Sequence, residues 1–165
     1  VNDQSISESG KYIYDGILTF SKLSDGLAYA KAENKPVVIE FTGYACVNSR
    51  KMENNVWLNE SVYKVLKSDV VLISLYVDDR TKLPNEDVFI SQRTGKVIDS
   101  YGEKWTDYQM VNFDMNSQPH YVFMDANGNQ LISEEATYNT HNNPDDFARW
   151  LQKGLREFKL KYISM

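Results

Sequence analysis

Apolar positions along the chain follow two periods, and the places where they switch lay out the elements. Pro36 opens a short β-rich run, Val37-Val38-Ile39-Glu40-Phe41, and Val70 to Val77 (VVLISLYV) is a longer, nearly continuous one. Runs of this kind are strands buried on both faces. Between them the period lengthens. Met52 and Val56 stand four apart in Arg50–Val56, a helical stretch, and Asn59 is placed to cap a second piece whose inner face is Val62, Val65 and Leu66 and which ends at Asp69. Strand, helix and strand in this order predict a parallel pair joined by a right-handed crossover.

The flanks follow the same logic. Residues 1–10 read as a polar leader, and Tyr12 to Phe20 alternates weakly enough for one edge strand. Ser21 or Ser24 is expected to cap a helix to about Glu33 with Leu23, Leu27 and Ala30 inward. Beyond Val77, Asp78-Asp79-Arg80 and Pro84 make a turn, and Val88–Ile90 with Lys96–Ile98 flank Gln92-Arg93-Thr94-Gly95 as a small hairpin. Gly102–Phe113 is predicted helical, with Trp105, Tyr108 and Gln109 read as core rather than a ligand box. A strand over His120–Asp125 follows Ser117-Gln118-Pro119, and Asn127-Gly128 predicts a hairpin into Gln130–Ser133. Asn143-Pro144-Asp145-Asp146 combines a cap, a first-turn proline and acids, and opens a closing helix with the stripe Phe147, Trp150, Leu151, Leu155, Phe158. The pattern gives an α/β chain with a leader and edge strand over 1–20 and one domain over 21–165.

Composition narrows the function classes. At 165 residues, 42% hydrophobic and 13% aromatic, the chain supports a packed core. A net charge of −5 with mixed signs offers no basic patch, so no nucleic acid is expected as a partner. No apolar run approaches the ~20 residues of a membrane span. The chain starts at Val and shows no signal peptide, so an upstream segment is expected to have been cleaved or left out. One Cys and two scattered His make no metal set, and neither a metal nor another cofactor is expected.

The single cysteine is where the chemistry concentrates. Cys46 lies where the first central strand turns into a helix, and unpaired N–H groups at a helix start favour a thiolate. Gly43 and Tyr44 before it and Asn48-Ser49-Arg50 after it fit an exposed turn better than a core. Glu40, six residues earlier, interrupts an apolar strand, where a carboxylate is costly unless it is hydrogen-bonded or used. Burial would raise its pKa, whereas an outward-facing edge position would leave it solvated. A Cys–His pair with His120 would suggest a cysteine hydrolase, but no Asn or Asp orienter is assignable, so His120 reads as packing or a modest tuner. His141 sits in a polar loop.

The run Lys-Pro-Val-Val-Ile-Glu-Phe-Thr-Gly-Tyr-Ala-Cys-Val-Asn-Ser-Arg-Lys-Met-Glu (Lys35 to Glu53), with Gly102-Glu103-Lys104-Trp105 and Gln118-Pro119, resembles thioredoxin-like thiol:disulfide interchange proteins. It is most similar to the C-terminal domain of DsbD and to exported thioredoxin-like proteins of Bacteroides-type bacteria. The resemblance covers roughly residues 20–160. It implies a central mixed β-sheet flanked by helices, with an insertion around 78–113. It implies that Cys46 is the attacking thiol, that Tyr44, Ala45, Val47 and Asn48 beside it bind substrate, and that Gln118 before a cis Pro119 pairs with substrate backbone. Glu40 matches the family's buried proton-shuttling acid, and Glu53 a second acid kept near the site. The departures are Tyr44, where Trp is frequent, and Ser49, where the resolving cysteine is expected.

A serine cannot resolve a mixed disulfide; it can donate a hydrogen bond to the Cys46 thiolate. With one thiol the chain alone cannot complete a two-electron dithiol–disulfide cycle. Two origins fit Ser49: an introduced Cys→Ser change that traps a mixed disulfide, or a natural monothiol. The expected function is thiol:disulfide exchange through Cys46, and the alternative is a non-catalytic thioredoxin-like peptide-binding module. The resemblance also implies an exported, periplasm-facing location and a membrane electron donor. Its partners would be protein disulfides or other thioredoxin-like proteins, and a monomer is expected.

Overall fold

The structure is a computed structural model, and it describes residues 9–14 and 16–163. The first strands, β1 (Gly10–Ile13) and β2 (Ile17–Phe20), form an antiparallel hairpin where one edge strand was expected. The reversal is local: Tyr14 and Gly16 both take positive φ (44° and 118°), and Gly16 N–H closes on Ile13 O at 3.2 Å. A side chain at φ 118° would clash with its own backbone, so the turn needs glycine there. Gly10, assigned to the leader from sequence, is already in β1.

Helix α1 (Leu23–Glu33) follows, with Lys22 at its N-cap and no side-chain cap, so neither Ser21 nor Ser24 serves. Then come β3 (Val37–Thr42), α2 (Val47–Met52), a π turn over Glu53–Trp57, α3 (Glu60–Ser68) and β4 (Val71–Tyr76). Asn59 caps α3 through Ser61 N–H. The short hairpin β5 (Phe89–Ile90) and β6 (Val97–Ile98) leads to α4 (Tyr101–Phe113), whose cap Ser100 accepts Glu103 N–H at its Oγ and donates that hydroxyl to Glu103 Oε1. The chain closes with β7 (His120–Met124), β8 (Ala136–Thr137) and α5 (Pro144–Ile163).

The main sheet runs β1-β2-β4-β3-β7-β8. β3 lies parallel to β4 and antiparallel to β7, giving the mixed centre. The turn at Asn127-Gly128 forms, but the chain beyond it makes one bridge, Met124 to Gln130, and regular pairing resumes at Ala136–Thr137 rather than Gln130–Ser133. Asp125 tightens the turn itself: its carboxylate accepts the Asn127 and Asn129 N–H groups.

Alternation along β3 sorts the core. Val37, Ile39 and Phe41 join Tyr29, Ala30 and Trp105 under α1 and α4. Val38 faces Trp57, Leu66, Phe147 and Trp150 under α2, α3 and α5. Each fully buried aromatic contributes on the order of 2–3 kcal/mol. Glycine at 102 lets α4 start flat against the loop after β4: a Cβ there would stand 2.6 Å from Val77 O and 2.7 Å from Asp79 O. That contact fixes α4, and the loop after it, relative to the C-terminal ends of β3 and β4.

Candidate active site

Cys46 is the N-cap of α2, in extended backbone (φ −80°, ψ 108°), and its carbonyl accepts the first helical bond from Arg50 N–H at 3.2 Å. The helix therefore begins at Val47, three residues before the start read from sequence, and runs through Met52 into the π turn. The thiol is half-buried, and its S–H donates to Gln118 O at 3.6 Å. The Gln118–Pro119 peptide bond is cis. The turn before Cys46 is held from β4's end: Asp78 Oδ1 accepts Tyr44 N–H at 2.9 Å and Oδ2 accepts Ala45 N–H at 3.3 Å. Tyr44 stacks on Tyr76 with ring centroids 4.0 Å apart, and Tyr44 and Val47 stay exposed at 57% and 66%. Ala45 is also exposed and Asn48 partly so, which makes a shallow, partly apolar rim around the sulfur.

Ser49 points away from this rim. It is fully buried, and its Oγ makes no hydrogen bond within the protein, to Cys46 or to any other described residue. The hydrogen bond from Ser49 to the Cys46 sulfur that the sequence suggested is absent. Position 49 is the third residue of α2, on the side that faces the sheet, so its side chain is directed into the core.

Beneath lies a paired acid cluster. Glu40 is 1% exposed, opposite Ser74 on β4 and Tyr121 on β7, so the outward-facing alternative does not hold. Tyr121 Oη donates to Glu40 Oε2 at 2.8 Å, and Trp57 Nε1 donates to Tyr121 Oη at 3.2 Å. Burial, and then the charge of Glu53, push Glu40 up to about 8. Glu53 is 4% exposed and is not a solvated helix residue; burial raises it too, against the lowering pull of Arg50, whose Nη2 lies 2.8 Å from its Oε2. Tyr14 Oη donates to Glu53 Oε1 at 3.2 Å, and Arg50 Nη2 donates to Thr42 Oγ1 at 3.1 Å. Tyr76 is pushed up to about 12 by burial and then by the two carboxylates. Glu40 and Glu53 are thus two buried acids in mutual repulsion, with the Arg50 guanidinium paired to Glu53.

His120 is not turned to chemistry with Cys46. It is fully buried and stacked on Phe41 at 5.4 Å. Gln109 Nε2 donates to Ser117 O and so presents a second N–H to His120 Nδ1 at 3.0 Å; Nδ1 accepts, and Nε2–H donates to Glu135 Oε1 at 2.7 Å. Burial lowers its pKa, against the raising pull of Glu135. His141 lies beside Thr140 and Trp150. Among the described residues no group of three or more His, Cys, Asp or Glu is arranged for a metal, and no helix is long and apolar enough to cross a membrane.

Several site residues were not identified from sequence. Arg50 stands three before Glu53, an i,i+3 pair that charge patterning could have found. Tyr121 reaches Glu40 through sheet register, which no local pattern carries, whereas Tyr14 reaches Glu53 from the β1–β2 turn, which Asp15-Gly16 signals in the sequence. Asp78 had been read only as part of a turn.

Residues 23–155 match the family described as a thioredoxin-like domain. Among solved structures the fold is similar to a DsbH oxidoreductase (14% identity, TM-score 0.57, covering 90% of this chain and 88% of that one). It is also similar to a thioredoxin from Thermus thermophilus (18% identity, TM-score 0.52, covering 78% of this chain and 80% of that one). No curated protein matches the sequence. The chain belongs to the thioredoxin-like domain family.

Proposed function

We propose that this protein carries out thiol:disulfide exchange with Cys46 as nucleophile. The observation that carries the reading is the half-buried Cys46 sulfur at the head of α2, 3.6 Å from the Gln118 carbonyl in the loop of the cis proline. A peptide laid along that loop would bring its disulfide to the thiol by adding a strand to the Gln118 backbone. The thiolate attacks one sulfur, the S–S bond breaks, a mixed disulfide forms, and the other sulfur leaves with the electron pair and takes a proton. Ser49 has no thiol, so release falls to a thiol on another molecule. Glu40 and Glu53 are suited to hold and return a proton beneath the site.

The clients in this reading are protein disulfides or other thioredoxin-like proteins. Electrons would arrive from a membrane donor on the periplasmic side of an exported protein, as the resemblance of Lys35–Glu53 to DsbD-type domains supports. A second reading follows from the same Ser49: a binding module that keeps the groove and does not turn over. Reduction of insulin disulfides separates them, run on this chain and on Ser49→Cys with a thiol reductant. The exchange reading expects turnover by Ser49→Cys and, in the parent before reductant is added, a mixed disulfide that only an added thiol releases. A Ser49→Cys protein that forms its internal disulfide yet neither captures nor reduces insulin would favour the binding module.

A further inference from the structure

We infer that Gln109, on the buried face of α4, is a positioning residue that sets the Gln118 backbone for an incoming peptide, with His120 and Glu135 as its support. The inference rests on the exchange reading and names how that site would select peptide disulfides over small ones.

Gln109 is 0% exposed and spends every polar atom of its amide on the loop around Pro119. Its Nε2 donates to Ser117 O at 3.0 Å and to His120 Nδ1 at 3.0 Å, and its Oε1 accepts from Gln118 Nε2 at 3.1 Å. One side chain thus grips the residues on both sides of the proline and the residue before it. The grip continues downward: His120 Nε2–H donates to Glu135 Oε1, and Gln130 Nε2 donates to Glu135 Oε2 at 3.0 Å. The other contact of the Gln118 side chain, to Asn116 O at 3.1 Å, stays within the loop and anchors it to nothing else. Besides the Cys46 S–H on Gln118 O, the side-chain tie from Ser117 and Gln118 to a helix runs through Gln109 to α4.

A fully buried amide is costly unless all its groups are paired, and here all are paired to one short segment. An apolar side chain of the same size would fill the space at less cost but would leave the loop untethered. The segment it tethers carries the carbonyl that meets Cys46 and the backbone edge that a peptide would pair with. A small disulfide needs the sulfur but not that edge. The positioning contribution therefore falls on peptide substrates.

The test compares two disulfides with the same leaving group: symmetric dithiobis(nitrobenzoate), and a ten-residue peptide whose cysteine carries thionitrobenzoate. In each, the Cys46 thiolate forms a new S–S bond and nitrobenzoate thiolate leaves with the electron pair, read by its absorbance. In Gln109→Met the ratio of peptide rate to small-molecule rate is expected to fall about tenfold, the loss of a short buried network. Glu135→Ala, at a partly exposed position, lowers the same ratio about threefold and serves where Gln109→Met fails to fold. A ratio within twofold of the parent in both variants overturns the assignment. A parent that reacts with the small disulfide but not with the peptide overturns the peptide-exchange reading and this inference together. A parent that takes both, with Gln109→Met matching its ratio, overturns Gln109 alone.

Discussion

Tyr121 Oη donates to Glu40 Oε2 at 2.8 Å, from residues directly opposite one another on β7 and β3, at 0% and 1% exposure. The phenol is itself held by Trp57, so its own proton is directed at the carboxyl. This bond lowers the Glu40 pKa, yet burial and the neighbouring Glu53 outweigh it and bring the group to about 8. The site thus keeps a protonatable acid at the centre of its sheet near neutral pH, where an exposed glutamate would be ionised.

That acid makes stability fall with pH. Glu40 is protonated in the folded chain up to about 8, but the unfolded chain releases the proton near the ordinary value of 4.5. Between those values the native state binds more protons, so its contribution is full below pH 4.5 and is lost as pH rises toward 8. Glu40→Gln is neutral throughout and escapes the loss. Urea unfolding from pH 5 to 8 is expected to show the stability of Glu40→Gln gaining on the parent by roughly 3–5 kcal/mol across the range. A difference that stays constant with pH would mean that Glu40 is ionised in the fold.

Ser49 carries a different cost. Its hydroxyl is buried without a partner, so the chain spends desolvation on a group that returns no hydrogen bond. Ser49→Ala removes that group and is expected to leave stability equal or higher by about 1 kcal/mol. A loss of that size on urea unfolding would show instead that the hydroxyl is engaged.

How much of this was legible in the sequence depended on whether the signal was local. The β3–helix–β4 unit, the α3 cap at Asn59 and the stripe of α5 each follow from periods and caps within a dozen residues, and all three formed. The hairpin of β1 and β2 was read as one edge strand although Asp15-Gly16 is an Asp-Gly turn signature; the flanking strands are only four residues each and alternate weakly, so the run was taken as continuous. The Asn127-Gly128 turn was legible, and Asp125 holds it through the Asn127 and Asn129 N–H groups, but no local signal marks that pairing stops after Gln130. At the site, the place of Cys46 at a strand–helix junction was readable. That Ser49 faces the core, that Tyr121 meets Glu40 and that Gln109 holds the Pro119 loop depend on register and helix rotation, which a single sequence does not encode locally.

Asp78 shows how such a non-local contact can govern the site. It leaves the end of β4 and takes the Tyr44 and Ala45 N–H groups, one on each carboxylate oxygen, so β3's exit turn is fixed by β4's. Gly43 lies close under it, where an added Cβ would stand 3.2 Å from Asp78 Oδ2. The carboxylate is exposed, so the stability at stake is small, about 1 kcal/mol or less after solvent screening. Its effect is on order in the turn that carries Cys46. Asp78→Ala is expected to lower the hydrogen-exchange protection of the Tyr44 and Ala45 amides about tenfold while the amides of central β3 keep theirs. Asp78→Asn, with one acceptor oxygen, should lose protection at one of the two amides. Unchanged protection at both in Asp78→Ala would show that the turn holds itself, through Cys46 N–H on Gly43 O.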